Sequence, residues 1–269
     1  MLQDVTFGQY YETDSAVHRL DPRIKLLILI AYVVFVFVVK NFYGFLLLAL
    51  FLIAVTVLSK VPFLDILRSI KGILFIVIFT VILNLFFYKT ENPTVLFWII
   101  TKEALLFSAF MALRLVLLIL GSVLLTFTTT PVALTDGIES LLYPLKLIKF
   151  PVHELALVMS IALRFIPILM NEADRIIMAQ KARGADFESG NLIKRAKAMI
   201  PVLIPLLVSA FRRAEELGDA MDSRCYSSSS VRTKYKKLTL KLGDLVSSLI
   251  SIAVFTGVIL LNVYLGGAV

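Results

Sequence analysis

Long runs of apolar residues alternate with short polar turns over the first half of the chain. These runs cover residues 24–39, 42–58, 73–88 and 105–128, and a further run covers residues 245–265. A helix rises about 1.5 Å per residue, so such runs cross a hydrocarbon core of about 30 Å, the shortest by extending into flanking polar residues. Backbone amides in lipid need internal partners, and the runs lack the alternation of barrel strands. The pattern therefore predicts an all-α, polytopic membrane protein with about five transmembrane helices.

Two later stretches, residues 155–170 and 198–211, are also apolar enough to be considered as spans. Inserting both would move the basic residues between them to the outer face, against the positive-inside rule. The second stretch has only 14 residues and contains Pro201 and Pro205. We therefore interpret both stretches as buried or interfacial helices.

After the fourth run the pattern changes to that of amphipathic helices. Thr130 followed by Pro131 is a typical helix cap and first turn, which predicts a short helix there. Residues 152–184 repeat apolar positions at three- and four-residue steps and predict one long helix, kinked at Pro167. Residues 206–222 form one apolar and one charged face. These apolar faces serve either packing between the helices or docking of another protein, and the sequence leaves both open.

Charge in the turns decides the orientation of the predicted spans. The second turn carries Lys60, Arg68 and Lys71 against Asp65, whereas the first carries only Lys40. By the positive-inside rule the amino terminus is then cytoplasmic.

Net charge places the long polar segment on the same side. Residues 129–242 contain 17 Lys and Arg against 11 Asp and Glu, a net charge of +6 out of the chain's +8. The sequence thus divides into a cytoplasmic amino-terminal segment (1–23), transmembrane helices one to four (24–128), a cytoplasmic amphipathic module (129–242), and a last transmembrane helix with an external carboxyl terminus (243–269). The opening segment is charged and lacks a small-residue cleavage site, so we expect it to be retained and not removed as a signal peptide.

Composition narrows the chemistry that the chain can perform. Hydrophobic residues make up 59% of the chain and charged residues 17%, as expected for a membrane protein. The single cysteine, Cys225, forms no internal disulfide, and His18 and His153 are too few for a histidine metal site, so no metal or redox cofactor is expected. No phosphate-binding Gly-x-x-x-x-Gly-Lys-Ser/Thr loop occurs. We therefore expect a protein that is not an enzyme and does not hydrolyse ATP itself.

A self-sufficient secondary transporter is the alternative to a non-catalytic subunit. Such transporters usually carry acidic residues inside spans or paired repeats with broken helices, and neither is evident. An intramembrane protease would need a serine with a histidine, or paired acidic residues, at membrane depth, and both histidines lie outside the runs. The basic residues at 232–241 indicate a topology signal with contacts to lipid headgroups, and we expect no nucleic-acid partner.

Several polar residues near or inside the runs are assigned structural roles. Arg114 lies within the fourth run, where a lipid-facing charge costs at least about 2.5 kcal/mol, so we expect a carbonyl or carboxylate partner. His18, Asp21 and Arg23 precede the first run and are expected to fix its start by capping or ion pairing. Asp21 followed by Pro22 is itself a typical helix start.

Four motifs in a fixed order give the chain a resemblance to a known family. They are His-x-Leu-Asp-Pro-Arg at 18–23, Leu-Arg-Phe-Ile-Pro at 163–167, Ala-Arg-Gly at 182–184 and Ser-Arg-Cys at 223–225. Over residues 15–226 the chain resembles the transmembrane coupling subunit, or T component, of energy-coupling factor transporters. The Ser-Arg-Cys triplet departs from the Ala-Arg-Gly of many relatives.

The resemblance implies a non-catalytic subunit of an ABC-type transporter in the plasma membrane of a prokaryote. Two cytoplasmic ABC-type ATPase subunits would hydrolyse ATP, and a membrane-embedded S component would bind the vitamin or trace metal that is taken up. Which micronutrient is carried, and by how many S components, depends on those other subunits.

The resemblance also assigns residues to these contacts. The ATPase-coupling residues would be Ala182, Arg183, Gly184, Ser223, Arg224 and Cys225. The S-component contacts would be Ala162, Ile166, Ala173, Leu207, Ala210 and Ala214. Arg164, in the Leu-Arg-Phe-Ile-Pro motif, would be structural. The helices that lead to the two arginines would then be coupling helices.

Overall fold

The structure is a computed structural model that describes residues 10–87, 95–97, 100–148, 150–187, 189, 191–226 and 239–265. The helices in this part of the chain are α1 (Pro22–Val38), α2 (Phe42–Ser59), α3 (Phe63–Lys71), α4 (Leu74–Phe87), α5 (Lys102–Thr128), α6 (Pro131–Leu142), α7 (Val152–Ala182), α8 (Leu192–Ser223) and α9 (Leu242–Leu265), with a 3-10 helix at Tyr143–Ile148. Two short antiparallel strands, β1 (Val95–Phe97) and β2 (Ile100–Thr101), pair before α5. Apart from this small ladder, the predicted all-α class is confirmed.

Contacts divide the described residues into two compact units. The larger unit lies within Gly8–Val152 and Leu238–Val269 and contains α1 to α6 and α9. The smaller unit lies within His153–Lys237 and contains α8 and nearly all of α7. The four segments predicted from charge concern the sides of a membrane, which this division does not test.

Helices α1, α2, α5 and α9 form the core of the larger unit. The close approach of α1 and α5 depends on Gly121, because a Cβ atom there would lie 2.6 Å from Cε1 of Tyr32. The Tyr32 hydroxyl donates a hydrogen bond of 3.1 Å to the Leu117 carbonyl of α5. Apolar side chains that face away from this core, such as Val57 and Phe75, stay exposed. That exposure is expected where lipid tails, and not water, surround the helices.

Four single helices, α2, α5, α7 and α9, are long and apolar enough to cross a membrane. The pair of α3 and α4, bent by 57°, adds a fifth if it counts as one span. Helix α1 has 17 residues, slightly fewer than these spans. The number of candidate spans therefore agrees with the predicted five, but α7 enters the set.

Residues 155–170 and 198–211 are helical, as interpreted, but they are not buried within the protein, and their interfacial location stays a prediction. The first stretch is the first half of α7, and only 11% of the most apolar part of α7 is buried. The second is the middle of α8, where Val202 is buried but most side chains are exposed. Protein therefore does not cover these apolar surfaces in the described structure, and their composition fits lipid or a partner protein.

Helix α8 is longer than the predicted 206–222 and passes through Pro201 and Pro205 without a break. Pro205 has no N–H to donate to the Pro201 carbonyl, so this oxygen loses its partner within the helix. Gln180 of α7 donates a long hydrogen bond of 3.5 Å to the same oxygen. A side chain from the neighbouring helix thus replaces the missing bond, as often occurs at prolines in membrane helices.

Other elements follow the sequence more closely. Helix α6 begins at Pro131, and Oγ1 of Thr130 accepts the Ala133 amide at 3.3 Å, which confirms the predicted cap. The short helix α3 was not predicted. Outside the described residues lie the basic residues Arg232, Lys234, Lys236 and Lys237, the loop charges Lys89 and Glu91, and the tail 266–269.

Candidate functional site

Polar residues that are buried, or half-buried in the case of His18, join the ends of α1, α5, α6 and α9 in the larger unit. We call this cluster the hub (His18, Asp21, Lys25, Thr128, Thr129 and Asp244). Asp21 is the N-cap of α1, and its Oδ1 accepts the Arg23 amide at 2.9 Å. Nε of Arg23 lies 3.9 Å from the same oxygen. The structure thus places both Asp21 and Arg23 at the beginning of the first helix.

Asp244 lies at the centre of the hub and is only 2% exposed. Its Oδ1 accepts the backbone amide of Asp21 at 2.7 Å, and its Oδ2 accepts the amide of Lys241, also at 2.7 Å. The second bond is the reciprocal half of a capping box at the start of α9. One carboxylate therefore satisfies an otherwise unpaired amide at the start of α1 and another at the start of α9.

Lys25 connects the hub to the end of α5. Its ammonium donates to the Thr128 carbonyl at 2.8 Å, to the His18 carbonyl at 3.3 Å and to Oγ1 of Thr129 at 3.4 Å. Thr128 is the last residue of α5, whose terminal carbonyls attract a cation. The sequence analysis missed both Lys25 and Asp244, because each is a charged residue beside an apolar run and no neighbouring motif marks it as functional.

His18 packs at the edge of the hub. Oγ of Ser15 and Nδ1 of His18 share a hydrogen bond of 2.7 Å, and the Tyr10 ring meets the imidazole edge-on at 5.6 Å. Burial, followed by the nearby charge of Lys25, holds the pKa of His18 below its usual range. His18 is therefore neutral in the folded chain at physiological pH.

Arg114 lies in the middle of α5, in the larger unit. Its Nη2 donates a hydrogen bond of 3.1 Å to the carbonyl of Val39, the residue that follows α1 as its C-cap. The guanidinium also lies 5.8 Å from the ring centroids of Phe37 and Phe45. A carbonyl and two aromatic faces thus surround the charge, which ties α5 to the turn between α1 and α2.

In the smaller unit, α7 and α8 run antiparallel to each other. Nη2 of Arg213 lies 3.5 Å from Oε2 of Glu172, and Gln180 reaches the Pro201 carbonyl. Residue numbers therefore increase along α7 in the direction in which they decrease along α8. These two polar contacts join the carboxyl-terminal half of α7 to the middle part of α8.

Helix α7 ends in a motif that exposes Arg183. The Ala185 amide bonds the Gln180 carbonyl at 2.9 Å and the Gly184 amide bonds that of Lys181 at 3.0 Å, which is a Schellman motif. Gly184 has a φ of +86°, as the left-handed position of this motif requires. Arg183 immediately precedes that glycine, and its neighbours Ala182 and Gly184 are also exposed.

Helix α8 ends in the same way. The Tyr226 amide bonds the Met221 carbonyl at 2.9 Å and the Cys225 amide bonds that of Asp222 at 2.8 Å. Here the left-handed residue is Cys225, with a φ of +56°. Arg224 occupies the place that Arg183 has in α7, and Ser223, Arg224 and Cys225 are all exposed. The resemblance between the two triplets is therefore a resemblance of backbone structure as well as of sequence.

The two arginines lie at opposite ends of the antiparallel pair. Arg183 follows Glu172 by 11 residues, and Arg224 follows Arg213 by 11 residues in the opposite direction. The two guanidinium-bearing ends therefore lie on opposite sides of the Glu172–Arg213 contact. None of the ion pairs recorded between described residues involves Arg183 or Arg224. Two exposed cations at the ends of two different helices are suited to two separate acidic sites.

The residues expected to contact an S component differ in exposure. Ala162, Leu207 and Ala214 are exposed, Ile166 and Ala210 are half-buried, and Ala173 is buried with 9% exposure. Ala173 directly follows Glu172, in the zone where α7 and α8 meet. Arg164 is exposed on α7. The structure thus leaves the first five residues, but not Ala173, with surface for a partner.

Comparison with known proteins gives one consistent result. A family model described as "Cobalt transport protein" (CbiQ) matches residues 13–235. The chain is 47% identical over 269 residues to the energy-coupling factor transporter transmembrane protein EcfT of Clostridium kluyveri, which covers 99% of this chain and 100% of that protein. The chain belongs to the EcfT family.

Further members of the EcfT family match equally well. The protein of Ruminiclostridium cellulolyticum is 49% identical over 266 residues (97% of this chain, 98% of the relative), and that of Bacillus subtilis is 48% identical over 258 residues (94% and 97%). The resemblance inferred from the four motifs is thereby confirmed. The chain is a transmembrane component of an energy-coupling factor transporter.

Proposed function

We propose that this chain couples ATP hydrolysis by two cytoplasmic ABC-type ATPase subunits to uptake of a vitamin or trace metal through an S component. The observation that carries the proposal is the matched pair of helix ends, where Arg183 and Arg224 stand exposed before a left-handed residue. A Schellman motif stops the helix sharply and holds the arginine on a rigid element. Each guanidinium can then pair with a carboxylate in a groove of one ATPase subunit, with bidentate geometry.

The antiparallel contact between α7 and α8 gives these ends a mechanical link. When ATP draws the two ATPase subunits together, the arginines are displaced relative to each other and the crossing of α7 and α8 changes. The Arg213–Glu172 and Gln180–Pro201 contacts join the two helices and would keep them engaged during the movement. The chain itself contributes no reacting group in this scheme, and ATP is hydrolysed by its partners.

The exposed apolar face of α8 is the proposed seat of the S component. Leu203, Leu207 and Phe211, spaced at four-residue steps, are each more than half exposed. Ala214 continues this face, and Ala162 offers a small exposed residue on α7. Small residues allow close helix contact in a membrane, and a changed crossing of α7 and α8 would reorient a partner seated there.

The proposed location is the plasma membrane of a prokaryote, with the amino terminus cytoplasmic and the carboxyl terminus external. The hub supports this orientation, because Asp244 brings the starts of α1 and α9 to one level. At the other end of the same helices, Asn262 accepts the Lys40 amide at 3.3 Å and donates to the Val38 carbonyl at 3.0 Å. The hub end carries Arg19, Lys60 and Lys241, as a cytoplasmic end should.

Charge reversal at each arginine tests the coupling role. Loss of a desolvated ion pair costs about 2 to 5 kcal/mol, so Arg183→Glu and Arg224→Glu should each weaken ATPase binding at least about 30-fold. Arg175→Glu on α7 and Arg212→Glu on α8 are matched controls, because both side chains are exposed on the same helices away from the ends. The measurement is co-purification of the chain with its ATPase subunits, followed by ATP-driven uptake in proteoliposomes.

Two results would overturn the proposal. One is assembly and uptake by the two arginine variants at the level of the Arg175 and Arg212 controls. The other is substrate uptake by the chain alone in liposomes, which would instead establish a self-sufficient secondary transporter.

A further inference from the structure

The larger unit contains an apolar cavity of about 400 Å³ at the hub end of its core. Helices α1 and α5 line it through residues such as Leu29 and Leu124, and α2 and α9 also contribute to its lining. The hub closes it at one end, where the ammonium of Lys25 is already bonded to three oxygens. The volume falls within the range of about 300–1,000 Å³ that is typical of ligand sites.

Contacts between α2 and α9 bound the cavity at the end away from the hub. Near the far end of the core the two helices pack tightly, with the Phe51 and Phe255 rings 6.1 Å apart and a Cβ at Gly257 placed 3.2 Å from Leu47. Toward the hub, Val55 and Leu58 of α2 and Val246 and Ile250 of α9 line opposite sides of the cavity.

The side of the cavity faces the surroundings of the helices. Leu58, Val246 and Ile250 are each more than half exposed although they line it. In a membrane protein, the surroundings of exposed apolar side chains on a spanning helix are lipid tails. The space between α2 and α9 is therefore open to an acyl chain from the bilayer.

Basic residues stand where the cavity reaches the end of the helices. Lys60 follows the lining residue Leu58 by two positions, and Lys241 precedes the lining residue Gly243 by two. Both lysines are exposed. Lys60 lies close enough to Asp14 to add to the lowering of the Asp14 pKa that Arg19 chiefly causes. Asp14 is itself paired with Arg19, so the rim keeps a net positive charge.

We propose that this cavity binds an anionic phospholipid, with one acyl chain between α2 and α9 and the headgroup phosphate at Lys60 and Lys241. The apolar lining fits the chain, and the two lysines select a negative headgroup over a zwitterionic one. The site is separate from the coupling helices and rests only on the membrane location of the larger unit.

The test measures lipids retained by the full chain in mild detergent, by native mass spectrometry. The chain is first exposed to equal amounts of phosphatidylglycerol and phosphatidylcholine with identical acyl chains. Val55→Trp fills the cavity, and Val57→Trp is the matched control, because Val57 lies on the same helix but is 71% exposed and outside the lining. Thermal unfolding of each variant checks that it is folded, and Ala16→Trp fills the cavity from another segment if Val55→Trp does not fold.

We expect the parent chain and Val57→Trp to retain one phosphatidylglycerol more per chain than the cavity-filled variant. Replacing each rim lysine by Gln should reduce the preference for phosphatidylglycerol about fivefold, whereas Lys71→Gln leaves it unchanged. Excess glycerol phosphate, which has no acyl chain, should not displace the lipid. Equal retention by Val55→Trp and Val57→Trp, equal binding of both lipids by the parent chain, or displacement by glycerol phosphate would each overturn the proposal.

Discussion

Replacing Asp244 by Ala should destabilise the fold more than any exposed acidic substitution. The change removes the acceptor for the amides of Asp21 and Lys241, both bonded at 2.7 Å, and leaves the buried ammonium of Lys25 without one of its two nearby carboxylates. A hydrogen bond to a charged group contributes about 1.5 to 3 kcal/mol, so the loss of two predicts a destabilisation of about 3 to 6 kcal/mol. For a chain of this size that corresponds to a fall in Tm of roughly 10 °C.

The assay is thermal unfolding of the purified chain in detergent, followed by circular dichroism. Asp244→Asn keeps one carbonyl acceptor but loses the charge and the second acceptor, so its Tm should fall between those of the parent and Asp244→Ala. Asp219→Ala is the control, because Asp219 is exposed on α8. The reasoning about the hub would be refuted if Asp244→Ala and Asp219→Ala had the same Tm.

Three further predictions concern single residues. Gly184→Ala places a Cβ at a left-handed position with open space around it, so it should destabilise the end of α7 by about 1 kcal/mol and increase hydrogen exchange there. Cys225→Gly removes a Cβ from the left-handed position of α8 and should slow hydrogen exchange at the end of that helix. The pKa of His18 is lowered in the folded chain, so the unfolded chain binds the proton more readily as pH falls below about 6.5. The Tm should therefore decrease with acidification, and it should decrease less in His18→Gln. Arg114→Met leaves the buried Val39 carbonyl unpaired and should lower stability by about 1 to 3 kcal/mol in the same unfolding assay.

The apolar pattern predicted most helices because a span needs a long uniform run, and the cap residues Asp21 and Thr130 marked two helix starts correctly. Helix α3 was not predicted, because its nine residues give too short a periodic pattern to be recognised beside the longer apolar runs. The extent of α8 was underestimated because Pro201 and Pro205 normally end helices. The sequence cannot reveal that Gln180, on another helix, supplies the missing bond.

The hub could not be predicted as a cluster from the sequence. Asp21 and Asp244 are 223 positions apart, so no local pattern connects them. The arginine-bearing ends were easier to find, because each has a short motif and a helix boundary nearby. Their common backbone structure was less evident, since Cys225 takes a left-handed conformation that sequence normally signals by glycine or asparagine.

The most direct test of the coupling role uses the only cysteine of the chain, Cys225, which is exposed beside Arg224. A photoreactive maleimide on Cys225 should crosslink to one ATPase subunit in the assembled complex. In a Cys225→Ser background, the same label on Ala182→Cys should capture the other ATPase subunit, and on Tyr264→Cys, near the far end of α9, neither. Crosslinks to no ATPase subunit from Cys225 and Ala182→Cys would contradict the assignment of these two helix ends as the coupling sites.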